Sequence, residues 1–172
     1  MKITVVGAGP LGKGGAALVG KAAKAALGAK AEAAGEVCVV FASDAQVHAL
    51  NKRFLSHDRE TDVISFNYPR VKFPAGLAAR TGRPALRGKG GGAPPEGMEE
   101  FPFGDVYVSL GVAKRQAKAL GHSLAREAVT LAVHGTLHLV GYDDAKPAGK
   151  ARMFKRQDAL VASLLDGKKK KK

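Results

Sequence analysis

The sequence has a single cysteine, Cys38, which excludes an internal disulfide and any cluster of thiolate ligands. Its place in the apolar run "VCVVFA" marks it as a small buried hydrophobe, so any metal must use His, Asp or Glu. No stretch reaches the roughly 18 consecutive apolar residues of a membrane span, and the N-terminus lacks the apolar run and cleavage pattern of a secretory signal. A cytoplasmic protein without a membrane partner is expected. No internal repeat is present. The G-x-x-x-x-G-K-[ST] motif is not completed either, because Gly14 stands where its Ser or Thr would follow Lys13, so Lys13 after Gly12 makes no phosphate-binding loop.

Acidic residues are scarce relative to basic ones, 15 against 28, for a formal charge of +13 over 172 residues. Five of the 28 are the terminal "KKKKK" at 168–172; without them the balance is 23 against 15, or +8. Such a field favours polyanionic partners, RNA or an anionic membrane surface, through steering and counterion release. The lysine run itself reads as a sticky basic tail with no catalytic role. With 45% hydrophobic residues, the remainder, residues 1–167, reads as one domain with one core.

Hydrophobic patterning gives strands at Lys2–Val6, Glu36–Ala42 ("EVCVVFA"), "TDVISFNY" and Gly104–Gly111 ("GDVYVSLG"). Helices are expected from about Gly12 to Lys30, after Ser43 or Asp44 as N-cap, over "VAKRQAKALG" to Gly121, and after Ser123 until Gly141. A last helix, "AGKARMFKRQDALVASLL", sets Met153, Phe154, Leu160, Val161 and Leu164 on one apolar face. Between Pro69 and Gly97, Gly, Pro and Arg dominate without either period, as in a loop insertion. Its six basic residues, Arg70 to Lys89, add nonspecific RNA affinity or belong to a solvated linker. The fold class is α/β: a small mixed sheet packed with several helices.

Two motifs compete for function. "VVGAGPLG" places Gly7, Gly9 and Gly12 in G-x-G-x-x-G spacing after a strand, as in dinucleotide-binding folds. The acid that would hold the ribose is a poor fit, because Asp44 lies about ten residues beyond the usual spacing of about 20. The second motif is "HGTLHLVGYDD", residues 134–144. Four residues apart on a helix, His134 and His138 share a face and can meet one ion. With Glu127 and Thr130 they form a polar stripe along an otherwise apolar helix, and a buried stripe demands partners. Gly141 ends the helix, and Asp144 can fold back as a third ligand; Asp143 is the competing carboxylate. The pattern parallels H-E-x-x-H-x-x-G-x-x-H of zinc peptidases, but Gly135 stands where their glutamate base would be, which argues against a peptidase. Two imidazoles and one carboxylate leave an open position on zinc, the mark of a catalytic site, and would also suit Fe(II).

"HGTLHLVGYD", with "LNKRFLSHDRETDVISF" and "GDVYVSLGVAKRQAKALGHSLAREAVTLAV" ahead of it, resembles the YbeY family of bacterial endoribonucleases over roughly residues 36–165. The resemblance implies a mixed α/β fold whose N-terminal strand and helix would account for "KITVVGAGPLG" without a dinucleotide. It also implies metal-dependent cleavage of single-stranded RNA in 16S rRNA 3′-end maturation and ribosome quality control. One catalytic Zn2+ is expected per chain, with ribosomal RNA and the small ribosomal subunit, not DNA, as partners. The family's three histidine ligands fall here on His134, His138 and Asp144, making the aspartate a substitute ligand. Leu55 occupies the place of an arginine tied to RNA cleavage, and Arg53, His57 and Arg59 are the nearby charges that could replace it; His48, His57 and His122 are expected at surface or capping positions. The rival readings are a non-catalytic RNA- or ribosome-binding protein with a structural metal, and a dinucleotide-dependent oxidoreductase.

Overall fold

Four β-branched segments pair into one mixed sheet of order β1-β2-β4-β3, formed by β1 (Lys2–Val6), β2 (Glu36–Ala42), β3 (Val63–Asn67) and β4 (Pro102–Ser109). The first two pairings are parallel and β3 runs antiparallel to β4. The computed structural model describes residues 1–32, 35–68 and 102–166; the expected insertion at 69–97 and the lysine tail at 168–172 lie outside them. Five helices accompany the sheet: α1 (Gly15–Leu27), α2 (Asp44–Leu55), α3 (Leu110–Ala119), α4 (Leu124–Leu139) and α5 (Pro147–Leu165). Among the described residues no helix is long and apolar enough to cross a membrane.

Period-two alternation in β2 divides the layers. Val37, Val39 and Phe41 are buried in the main core with α1, α4 and α5, whereas Val40 and Ala42 pack with Val47 of α2 in a smaller cluster on the opposite face. Cys38, expected in the core, is half-buried on that second face. α4 is the central helix, with Ala128, Val129, Ala132, Val133 and Leu137 fully buried. Its closest approach to the sheet is at Gly135, where a Cβ would lie 2.5 Å from Val106 Cγ1 and 2.9 Å from Ser65 Oγ. Ser65 Oγ donates to the Gly135 carbonyl at 2.8 Å, so the glycine is a packing requirement.

The chain leaves β4 earlier than its apolar run suggests. Leu110 and Gly111, expected as strand, open α3, because Ser109 accepts from the Val112 amide and Asp44 reaches across from α2. Asp44 accepts from the Ser109 hydroxyl, the Gly111 and Val112 amides and Arg115. Of the two capping candidates for α2, Ser43 makes the capping box with Gln46 and Asp44 caps a different helix. The Ser109 hydrogen bond, supported by Arg115 and the two amides, holds the Asp44 carboxyl below the usual carboxylate range. The first helix is shorter than expected because Gly12 and Gly14, both at positive φ, delay its start to Gly15.

Candidate metal centre

The C-terminus of α4 builds the site. Gly141 adopts φ +96°, and the Gly141 and Tyr142 amides donate to the carbonyls of His138 and Leu137 at 3.0 Å each, a Schellman closure. The reversal brings the Tyr142 carbonyl within 3.0 Å of His138 Nδ1 and carries the next residues back over the helix face. Asp143 is consumed by this turn, its Oδ1 accepting from the Ala145 amide at 2.9 Å. Asp144 instead points at the histidines, 3.6 Å from His134 Nε2 and 3.7 Å from His138 Nε2.

Proton bookkeeping gives this cluster its chemistry. A carbonyl oxygen only accepts, so His138 Nδ1 carries a proton toward Tyr142 and leaves Nε2 bare when the ring is neutral. His134 follows the same logic, donating from Nδ1 to Gln157 Oε1 at 2.8 Å. Burial pushes the His134 imidazole down from its ordinary value, against the opposing Gln157 hydrogen bond, and so favours the neutral ring. The two Nε2 atoms are 3.2 Å apart. With both rings neutral, two Nε2 lone pairs and a carboxylate converge on one point, an arrangement suited to a cation. Asp144 Oδ2 approaches His134 and Oδ1 approaches His138, and one donor atom from each of the three residues lies within 4.8 Å of the others, a span that can close on a single ion. Among the described residues His134, His138 and Asp144 are the group able to hold a metal ion, and these residues fit one.

Closed structural zinc sites use four protein ligands, whereas this cluster has three and is open to solvent beside Asp144, whose side chain is 37% exposed. Gly135 faces the sheet, so a glutamate at that position could not reach the ion, in line with the argument against a peptidase. The polar stripe of α4 splits in two. His134 and His138 meet at the site, while Thr130 bonds the Arg126 carbonyl and Glu127 pairs with His122 at 3.1 Å. Burial raises the Glu127 carboxyl, opposed by the charge of His122.

A family model for "Endoribonuclease YbeY" matches residues 16–165. The chain belongs to the endoribonuclease YbeY family. Proteins of that name from Elusimicrobium minutum and Moorella thermoacetica are 39% and 40% identical, covering 81% and 84% of this chain and 82% and 81% of their own lengths. A third, from Pelotomaculum thermopropionicum, is 39% identical over 78% of both chains. The fold is similar to the solution structure of TM1509 from Thermotoga maritima, with a TM-score of 0.54 at 21% identity over 97% of this chain and 91% of that one. The family match begins within α1, some twenty residues before the span of roughly 36–165 given by the sequence resemblance.

Family membership does not favour the dinucleotide reading, and neither does the geometry. β1 is an edge strand, whereas the dinucleotide fold puts its first strand at the centre of the sheet. A 3-10 turn at Gly9–Leu11 separates the strand from α1, and Asp44, the proposed ribose acid, is committed to α3.

Of the charges near Leu55, Arg53 sits over the Phe54 ring at 5.3 Å, His57 is exposed, and Arg59 lines an open cavity of about 420 Å3 with Arg115 and Gln116. His48 pairs with Asp58 at 2.8 Å, a surface role as expected. His122, in the turn before α4, is more enclosed than a surface residue because it partners Glu127.

Sequence reasoning missed Gln157. It lies on α5 among Met153, Leu160 and Val161 and is buried with them; a glutamine on an apolar stripe was the available signal. Phe154, expected on that buried face, instead lies at the rim against His134 and is 38% exposed. Since Gln157 fixes the His134 tautomer, Gln157→Leu is expected to weaken metal binding by about 10–100-fold, the usual cost of losing an outer partner of a histidine ligand. Gln157→Glu, which still accepts from Nδ1, should retain it. Competition with a chromophoric chelator measures both, and equal affinity for the leucine variant and the natural protein would refute the role.

Proposed function

We propose that this protein is a zinc-dependent endoribonuclease that cuts single-stranded RNA, with His134 Nε2, His138 Nε2 and the Asp144 carboxylate as metal ligands. Its substrate is ribosomal RNA, in 16S rRNA 3′-end maturation and ribosome quality control in the cytoplasm, and the small ribosomal subunit is its partner. Residues 1–167 act as one domain carrying the 69–97 insertion. The observation that carries the reading is the convergence of His134 Nε2, His138 Nε2 and the Asp144 carboxylate, with both Nδ1 atoms engaged elsewhere, in a chain of this family. Two imidazoles, one carboxylate and an open position are a donor set that a catalytic zinc uses.

When bound, the ion supplies Lewis acidity toward a phosphoryl oxygen and lowers the pKa of water. The chain's own residues prepare the site. Gln157 and the Tyr142 carbonyl keep protons on the Nδ1 atoms, so both Nε2 lone pairs stay directed at one point. Asp144 adds negative charge on the side of the cluster that is open to solvent. The basic balance of the chain draws an RNA backbone toward it. The open side supports catalysis over a purely structural metal.

Elemental analysis of the purified protein, with cleavage assays on single-stranded and duplex RNA of one sequence, tests the proposal. Zinc near one equivalent is expected, with cleavage of the single strand that stops on chelation and returns on zinc addition. Cleavage indifferent to chelation would overturn the mechanism. Bound metal without cleavage would instead favour an RNA-binding protein.

A further inference from the structure

α5 leaves one large apolar side chain exposed, and it stands beside the metal centre. The Phe154 ring meets His134 edge-to-face, with centroids 5.8 Å apart and planes 77° apart. One turn earlier on the same helix, Lys150 places its ammonium 5.5 Å from the Phe154 centroid. Besides Lys150, α5 and the turn before it carry exposed Lys146, Arg152, Lys155 and Arg156, against Asp143, Asp144 and Asp158. A lone exposed phenylalanine is ordinary on a protein surface. This one differs in touching a candidate ligand and in having a cation over its ring.

An aromatic ring paired with a cation is the unit that recognises single-stranded nucleic acid: the ring offers its face to a base and the cation takes the neighbouring phosphate. From this juxtaposition we infer that Phe154 and Lys150 form a nucleotide subsite at the metal centre. The base adjoining the scissile phosphate stacks on Phe154, and Lys150, on its flexible stem, moves from the ring to that nucleotide's phosphate. The subsite prefers unpaired RNA, because a base held in a duplex has no free face to offer. This inference rests on the nuclease reading for its substrate and adds the residues that position it. A purely mechanical role for Phe154, buttressing His134, would need only apolar bulk, which Phe154→Leu preserves.

The experiment uses zinc-loaded full-length protein and a set of single-stranded RNA oligonucleotides, each with one nucleotide made abasic. Cleavage, fluorescence-anisotropy binding and zinc content are measured for the natural protein, Phe154→Leu and Phe154→Trp. In the natural protein, an abasic position next to the cut is expected to lower kcat/KM and affinity about tenfold, within the about 5- to 150-fold that one stacked base contributes. Phe154→Leu should lose the same factor on intact RNA, be indifferent to the abasic position and keep its zinc; Phe154→Trp should behave like the natural protein. A leucine variant that binds and cleaves intact RNA normally, or that retains the full abasic penalty, would overturn the subsite. Base-dependent binding by a natural protein that cleaves nothing would uphold the subsite and refute the nuclease reading.

Discussion

His138→Ala is expected to lose zinc and RNA cleavage together while remaining folded. His138 brings one of the three converging side chains, and its removal leaves His134 and Asp144, two of the proposed ligands for an ion that catalytic sites hold with three. Loss of an outer partner costs about 10–100-fold, so loss of a ligand itself should exceed that range in both affinity and kcat. The fold should tolerate the change. His138 lies in the last turn of α4 and is partly exposed, and its ring bonds only a turn carbonyl and its neighbours in the cluster. Alanine is the better helix former, which offsets much of the roughly 0.5–1.5 kcal/mol net value of that hydrogen bond. Thermal unfolding of the zinc-free proteins should therefore be similar. Zinc should raise the melting temperature of the natural protein alone, because only a species that binds the ion gains from mass action. Zinc-free His138→Ala that cleaves RNA at the natural rate would remove the metal from the mechanism.

The parts of the site lying within one helix and its cap were legible in the sequence. Spacing alone put His134 and His138 on one face, and Gly141 marked the reversal because only a residue at ease at positive φ makes that turn. β1 and β2 fell on the expected residues for a similar reason, since unbroken β-branched runs bounded by turn residues leave little choice of register. What the sequence hid depends on contacts between distant segments. The end of β4 is set by Asp44, 65 residues before Ser109, which turns an apolar "SLG" from strand into helix start. Gln157 reaches His134 across 23 residues from another helix, and Phe154 leaves the core because that helix rotates it to the rim. The glycine fingerprint after β1 misled for the same reason: its spacing is local, but the strand order that would give it meaning is not.

Asp144→Ala is the second change with a large expected effect, and its comparison with Asp143→Ala distinguishes two adjacent carboxylates. Asp144 makes its approaches at 3.6 and 3.7 Å to the two bare Nε2 atoms, so it contributes where a cation would sit. Removing it takes away a proposed ligand and the only carboxylate among the three, and zinc affinity should fall by more than the about 10–100-fold of an outer-partner loss. Asp143→Ala removes one turn hydrogen bond, worth roughly 0.5–1.5 kcal/mol of stability, and should leave zinc content unchanged. Asp144→Asn sharpens the comparison. The amide matches the carboxylate in shape, but it is neutral and its NH2 can donate to a bare Nε2, which satisfies the site without an ion. The asparagine variant should therefore be at least as stable as the natural protein without zinc and less stable with it, a crossing that loss of packing cannot produce. Asp144→His, which supplies a third imidazole, should restore zinc binding. Full zinc content in Asp144→Ala, or its loss in Asp143→Ala, would move the third ligand off Asp144.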